Sequence, residues 1–98
     1  MGKRMNKVPE NAVEYRDLYT GGMVCKMDAG HDYDYEIYSF GTLVGVIKDG
    51  VFQWTWNGDS VRTRGHITQG LRWADYLPLT KFDVDSLRYM DTIQLVQG

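Results

Sequence analysis

An α+β fold is predicted: a small antiparallel sheet, built round a central hairpin at about residues 35–57, packed against one or two short helices. Three observations carry this. Asp49-Gly50 separates two runs rich in β-formers, and both positions of a two-residue hairpin turn need positive φ. Phe52, Trp54 and Trp56 alternate with Val51, Gln53 and Thr55, so three large aromatics share one strand face. Ile67, Leu71 and Ala74 recur at helical spacing. A contiguous aromatic face is normally buried, so this one is expected to lie in the core beneath that helix.

Taken in order, residues 1–12 are polar and basic, with Pro9, and are expected to be poorly ordered. Residues 13–20 read as a short helical turn that ends at Gly21-Gly22. Residues 23–27 are a candidate strand, and Ala29-Gly30-His31 a turn. Gly41 and Gly45 sit within the strand pattern, where glycine marks a bend or bulge. Asn57-Gly58-Asp59 is a further turn. A helix follows at about 64–76, with Ser60 or Thr63 placed to cap it. Gly65 and Gly70 weaken it by about 1 kcal/mol each relative to alanine, so it needs tertiary packing. Leu77-Pro78 ends it. A second short helix is expected at about 84–91, capped by Asp83, with Leu87 and Met90 as its apolar stripe. A closing strand is expected at 92–96, with Ile93 and Leu95 on one face.

The 98 residues suit a single domain, 1–98. Hydrophobic residues make up 43% and charged residues 24%, which argues against wholesale disorder. Eleven basic and thirteen acidic residues leave a net charge of -2. That excludes a strongly basic nucleic-acid coat protein and an extreme acidic mimic. The single cysteine, Cys25, excludes an intramolecular disulfide and a thiolate zinc cage, and it reads as a small buried apolar residue. The longest apolar run, 43–47, is far short of the roughly 20 residues of a membrane span. No apolar run follows the basic residues at the start, and Asn6 breaks the myristoylation pattern. A cytoplasmic protein is expected, with no membrane association.

No motif for metal, cofactor or nucleophilic chemistry is present. His31 and His66 lack ligand spacing, no G-x-S-x-G surrounds a serine, and no glycine-rich phosphate loop occurs. No cofactor and no enzymatic activity are expected. Charge distribution is more informative than its total. Asp28, Asp32, Asp34 and Glu36 stand in a segment without Lys or Arg. If 32–36 is extended, Asp32, Asp34 and Glu36 share one strand face, with Tyr33 and Tyr35 on the other. Such a face serves as a solvated edge, as a surface for a basic partner or as a metal site, although no glycine follows where a calcium loop would need one. The opposite pattern holds at 62–72, where Arg62, Arg64 and Arg72 occur without an acid. These can contact phosphates through bidentate hydrogen bonds. Arg62 and Arg64 near the start of the helix oppose its dipole.

Ser39-Phe40-Gly41-Thr42, then a strand, turn and aromatic strand, then Ser60-Val61-Arg62-Thr63-Arg64-Gly65-His66-Ile67, together resemble a domain of unknown function in short phage and prophage proteins. There a strand of the type S-x-G-T-x-[IV] leads through a hairpin into S-x-T-T-[SR]-x-H-[IQ] at a helix start. The resemblance covers about residues 36–73. The chain departs from the pattern at Arg62, where a threonine is expected, and Gly65 is an unusual residue at its position. The resemblance implies a phage or mobile-element origin, and a small accessory protein that acts by binding host machinery such as restriction or CRISPR nucleases. Within this motif His66, one turn into the helix, is placed to hydrogen-bond back to the hairpin.

The expected function is therefore a non-enzymatic inhibitor of a host defence nuclease complex. Its contact surface is Asp28, Asp32, Tyr33, Asp34, Tyr35 and Glu36, docked on a host protein or nucleoprotein complex with a basic nucleic-acid-binding groove. The alternative is a small nucleic-acid-binding module that uses Arg62, Arg64 and Arg72.

Overall fold

The computed structural model describes residues 6–58, 60–76 and 92–95. Among the described residues, six strands form one antiparallel sheet in sequential order: β1 (Ala12–Leu18), β2 (Gly22–Met27), β3 (Tyr35–Ser39), β4 (Thr42–Lys48), β5 (Val51–Trp54) and β6 (Thr92–Gln94). The helix α1 (Val61–Trp73) follows β5 and packs on β2 and β3, with a flank over β1. The α+β expectation holds. The helix expected at 84–91 lies outside the described residues.

Tight turns set this topology. Ser39 pairs with Thr42 and Lys48 with Val51, so Phe40-Gly41 and Asp49-Gly50 are two-residue loops. All four residues have positive φ, the conformation that matches the twist of the flanking strands. Gly41 is thus a turn glycine and not a bend within a strand. Thr20 and Gly21 also have positive φ, and they reverse the chain between β1 and β2. That turn overrides the helical reading of 13–20: Glu14 to Leu18 pair one by one with Lys26 to Gly22. β1 is the sheet edge, and residues 13–17 are all exposed on it.

Each sheet face has its own core. Val24, Ile37, Ile47, Phe52 and, from the helix, Ile67 and Leu71 fill the helix side. Phe52 is fully buried there, whereas Trp54 and Trp56 are half-buried against the cluster. The aromatic face is therefore core at Phe52 and a flank at Trp54, because α1 crosses β2 and β3 rather than β5, and the alternation does not reach Trp56, which lies past the end of β5. The helix begins at Val61, three residues earlier than expected, with the Ser60 side chain accepting from the Thr63 N–H. Gly70 lets it sit close, since a Cβ there would press on the Ile37 side chain at 3.0 Å.

On the other face Met23, Cys25 and Met27 are buried with Val8, Ala12 and Tyr38 against them. Asn6 is buried too. Its Nδ2 donates to the Gly21 carbonyl, and its Oδ1 accepts from the Gly41 N–H, tying two turns together. The closing strand reaches β5, where the Leu95 N–H donates to the Gly50 carbonyl.

Candidate functional site

The acidic segment splits into two parts. β3 begins only at Tyr35, so the strand alternation expected for 32–36 does not hold before that residue. Residues 28–34 are a loop pinned by backbone bonds. The Asp28 N–H donates to the Asn11 carbonyl, the His31 N–H to the Asp28 carbonyl, and the Asp34 N–H to the Ile47 carbonyl. Asp28, Asp32 and Asp34 are exposed. Asp28 and Asp32 line a polar cavity of about 410 Å³ with Asn11, Gly30 and His31. The Asp34 Oδ2 accepts from the Asp49 N–H at 2.9 Å, which brings the β4–β5 turn and its exposed aspartate to the same end.

Glu36 belongs to the interior instead. It is 6% exposed on the sheet face away from α1. One carboxylate oxygen accepts from the Tyr38 hydroxyl at 2.8 Å, the other from His31 Nε2 at 3.0 Å. Asn11 Nδ2 lies 3.4 Å from His31 Nδ1, consistent with the proton on Nε2. Tyr33 is half-buried, edge-on to the His31 ring at 5.9 Å. Tyr35 turns to the helix side and meets Trp73 at 6.3 Å in a perpendicular arrangement. Burial, then the nearby Asp34, pushes the Tyr35 hydroxyl pKa up. Glu36 and Tyr35 therefore anchor the acidic loop, and its accessible carboxylates are Asp28, Asp32, Asp34 and Asp49. Asp49 escaped the sequence reading because its Asp-Gly context already explained it as a turn.

The arginines do not form one surface. Arg62 and Arg72 are exposed, and Arg64 is half-buried. Two positions along a helix are about 200° apart, so Arg62 and Arg64 leave on opposite flanks. The first turn of α1 carries no acid, so nothing there complements the dipole.

A buried serine–histidine pair lies under the start of α1. Ser39 Oγ is 2.7 Å from His66 Nδ1 and 3.2 Å from Thr63 Oγ1, and His66 Nε2 is 2.8 Å from the Tyr19 carbonyl. A carbonyl only accepts, so Nε2 carries the proton and Nδ1 accepts from the Ser39 hydroxyl. Thr63 then donates to Ser39. Burial pulls the His66 pKa below its ordinary value, the backbone acceptors at Tyr19 and Thr20 counter this, and Arg62 adds to it. The imidazole is neutral at neutral pH. Ser39 is 4% and His66 2% exposed, so the pair that resembles a nucleophile and base is enclosed and spent on holding β3, the β1–β2 turn and α1 together. The expected bond from His66 to the hairpin is present. Gly22 is the residue that sequence reasoning missed here: a Cβ on it would stand 2.5 Å from the His66 ring.

Cys25 is fully buried, and burial followed by Glu36 and Asp17 pushes its thiol up to about 12. It is not a nucleophile at neutral pH. Among the described residues no group of three His, Cys, Asp or Glu can hold a metal ion, and no helix is long and apolar enough to cross a membrane. Comparison with protein-family models, with curated proteins and with solved structures finds no match to this chain.

Proposed function

We propose that the protein is a non-catalytic inhibitor that docks its acidic end on the basic, nucleic-acid-binding groove of a host defence nuclease complex. The observation that carries this reading is the pinned loop 28–34 with the 49–50 turn beside it, which together expose Asp28, Asp32, Asp34 and Asp49. Carboxylates held by a fixed backbone lose little freedom on docking, so each can occupy an arginine site otherwise used by a phosphate. Tyr33 and His31 lie among them and offer partly apolar surface of the kind enriched at interface centres. Neighbouring cations only partly offset the charge: Lys26 reaches Glu14 at 3.9 Å, and Lys48 is exposed next to Asp49. The resemblance of 36–73 to short phage proteins supplies the host-defence setting.

The test is capture of nuclease complexes from a phage-susceptible bacterial lysate. It compares the chain with a variant carrying Asp28→Asn, Asp32→Asn and Asp34→Asn. The reading expects the wild type to retain a nucleic-acid-binding complex, to block its binding of nucleic acid, and to lose it to competing heparin. The variant should retain far less. Equal capture by both proteins, or a captured nuclease that still binds nucleic acid normally, would contradict it.

A further inference from the structure

We propose that the groove between the end of β1 and the outer flank of α1 binds a nucleotide unit, with Arg16 and Arg72 on its phosphate and Tyr19 and Trp73 against its base. The groove holds about 330 Å³, near the lower end of the range for small-ligand sites. Arg16 pairs with Val24, a helix-side core residue, so its side chain leaves the sheet on the face that carries α1. Arg72 reaches the groove from the last helical turn. Neither guanidinium has a carboxylate partner among the described residues. Asp17 contributes to the wall, but its side chain alternates to the opposite sheet face, where its charge acts on Cys25.

The polar geometry favours an anion. Gln69 Oε1 accepts from the Tyr19 N–H at 3.1 Å, which leaves the Gln69 amide NH2 as a further donor in the groove. Two arginines and an amide present only donors, the complement of a phosphate. The aromatic geometry adds a base. Tyr19 is 82% exposed, so packing does not account for its ring. Trp73 is held by its perpendicular contact with Tyr35. Rings flanking a cationic groove are how single-stranded nucleic acids are bound without sequence preference. A free nucleotide and a single strand offer the same chemistry.

Binding of a short fluorescein-labelled oligothymidylate to the full chain, followed by anisotropy at low salt, tests this. Thymidine monophosphate and inorganic phosphate serve as competitors. Arg16→Gln with Arg72→Gln should weaken binding at least about tenfold and lower the salt slope by about 1 to 2. Tyr19→Ala should weaken it about tenfold through lost stacking. All these side chains are on the surface, so melting temperatures should stay level. Arg62→Gln should bind as wild type. Competition by thymidine monophosphate at the strength of the oligonucleotide identifies a free nucleotide as the source; weaker competition identifies a strand. Absent binding, an unaffected double arginine variant, loss on Arg62→Gln, or inorganic phosphate competing as well as thymidine monophosphate would each overturn the proposal.

Discussion

Two histidines, His31 in the loop before β3 and His66 on α1, bond to opposite faces of β3 but live under different conditions. His66 is enclosed, and every polar atom around it has a partner in β3, the β1–β2 turn or α1. His31 stands half-exposed at the acidic end, where it meets the buried Glu36 on one side and lines the polar cavity with Asp28 and Asp32 on the other. The two sites use similar side chains for opposite ends. A buried polar group without its partner costs about 1–3 kcal/mol, so the His66 cluster specifies the fold and tolerates no vacancy. The acidic loop keeps its carboxylates in water, so they contribute little to stability and remain available to a partner.

The widest separation between the two sites should appear on truncation. His66→Ala removes both hydrogen bonds and leaves a void beside Ser39, and is expected to cost about 3–4 kcal/mol by chemical denaturation. His31→Ala should cost appreciably less, because water can reach the site. Equal losses would erase the distinction between the two histidines. Gly22→Ala approaches the same cluster from the strand side, since the new methyl meets the His66 ring. A loss of about 1–3 kcal/mol is expected, with the urea slope unchanged.

Acid sharpens the comparison. The folded His66 pKa lies below its unfolded value of about 6.5, so the unfolded chain binds the proton more readily. The resulting stability is complete above about pH 6.5 and is lost as pH falls through the folded pKa. Ser39, Thr63, the Tyr19 carbonyl, the Phe40 ring and the Arg62 charge surround the imidazole, and none can accept a proton from it in this range. Melting curves of the wild type should therefore fall more steeply between neutral pH and pH 5 than those of His66→Asn. Parallel pH profiles would show that His66 is not held neutral.

The smallest expected change serves as a control on both sites. Gly65 lies on α1 with open space where a Cβ would sit. Gly65→Ala should raise stability by up to about 1 kcal/mol through helix propensity alone. It should alter neither the pH profile nor any binding.

Much of this architecture was legible locally. The Asp49-Gly50 turn, the strand at 23–27, the capping Ser60 and the inward stripe of Ile67 and Leu71 each rest on nearest-neighbour rules. The errors came where long-range pairing decides. Residues 13–20 contain nothing that forbids a helix. They become β1 because Thr20-Gly21 reverses the chain and β2 offers a partner ladder. The acidic segment looked uniform in sequence, yet the start of β3 at Tyr35 sends Glu36 into the interior and leaves the aspartates outside. Trp54 and Trp56 were expected beneath the helix, but alternation fixes a face, not where on that face a helix crosses, and it does not reach Trp56, past the end of β5. Asn6 carries no local signal, since its role is to join two turns distant in sequence.

Salt dependence of association tests the central claim most directly. Asp28→Asn, Asp32→Asn and Asp34→Asn remove three charges while keeping shape and acceptor atoms; Glu36 is left intact because its carboxylate holds His31 and Tyr38. The variant should melt within about 0.5 kcal/mol of the wild type, as surface substitutions do. Against any nuclease complex that the wild type captures, the wild-type association rate should fall steeply with added salt, and the variant should associate slowly with little salt dependence. Affinity should drop at least tenfold, about 1.4 kcal/mol. A folded variant that associates at the wild-type rate across the salt range would contradict docking through the acidic end.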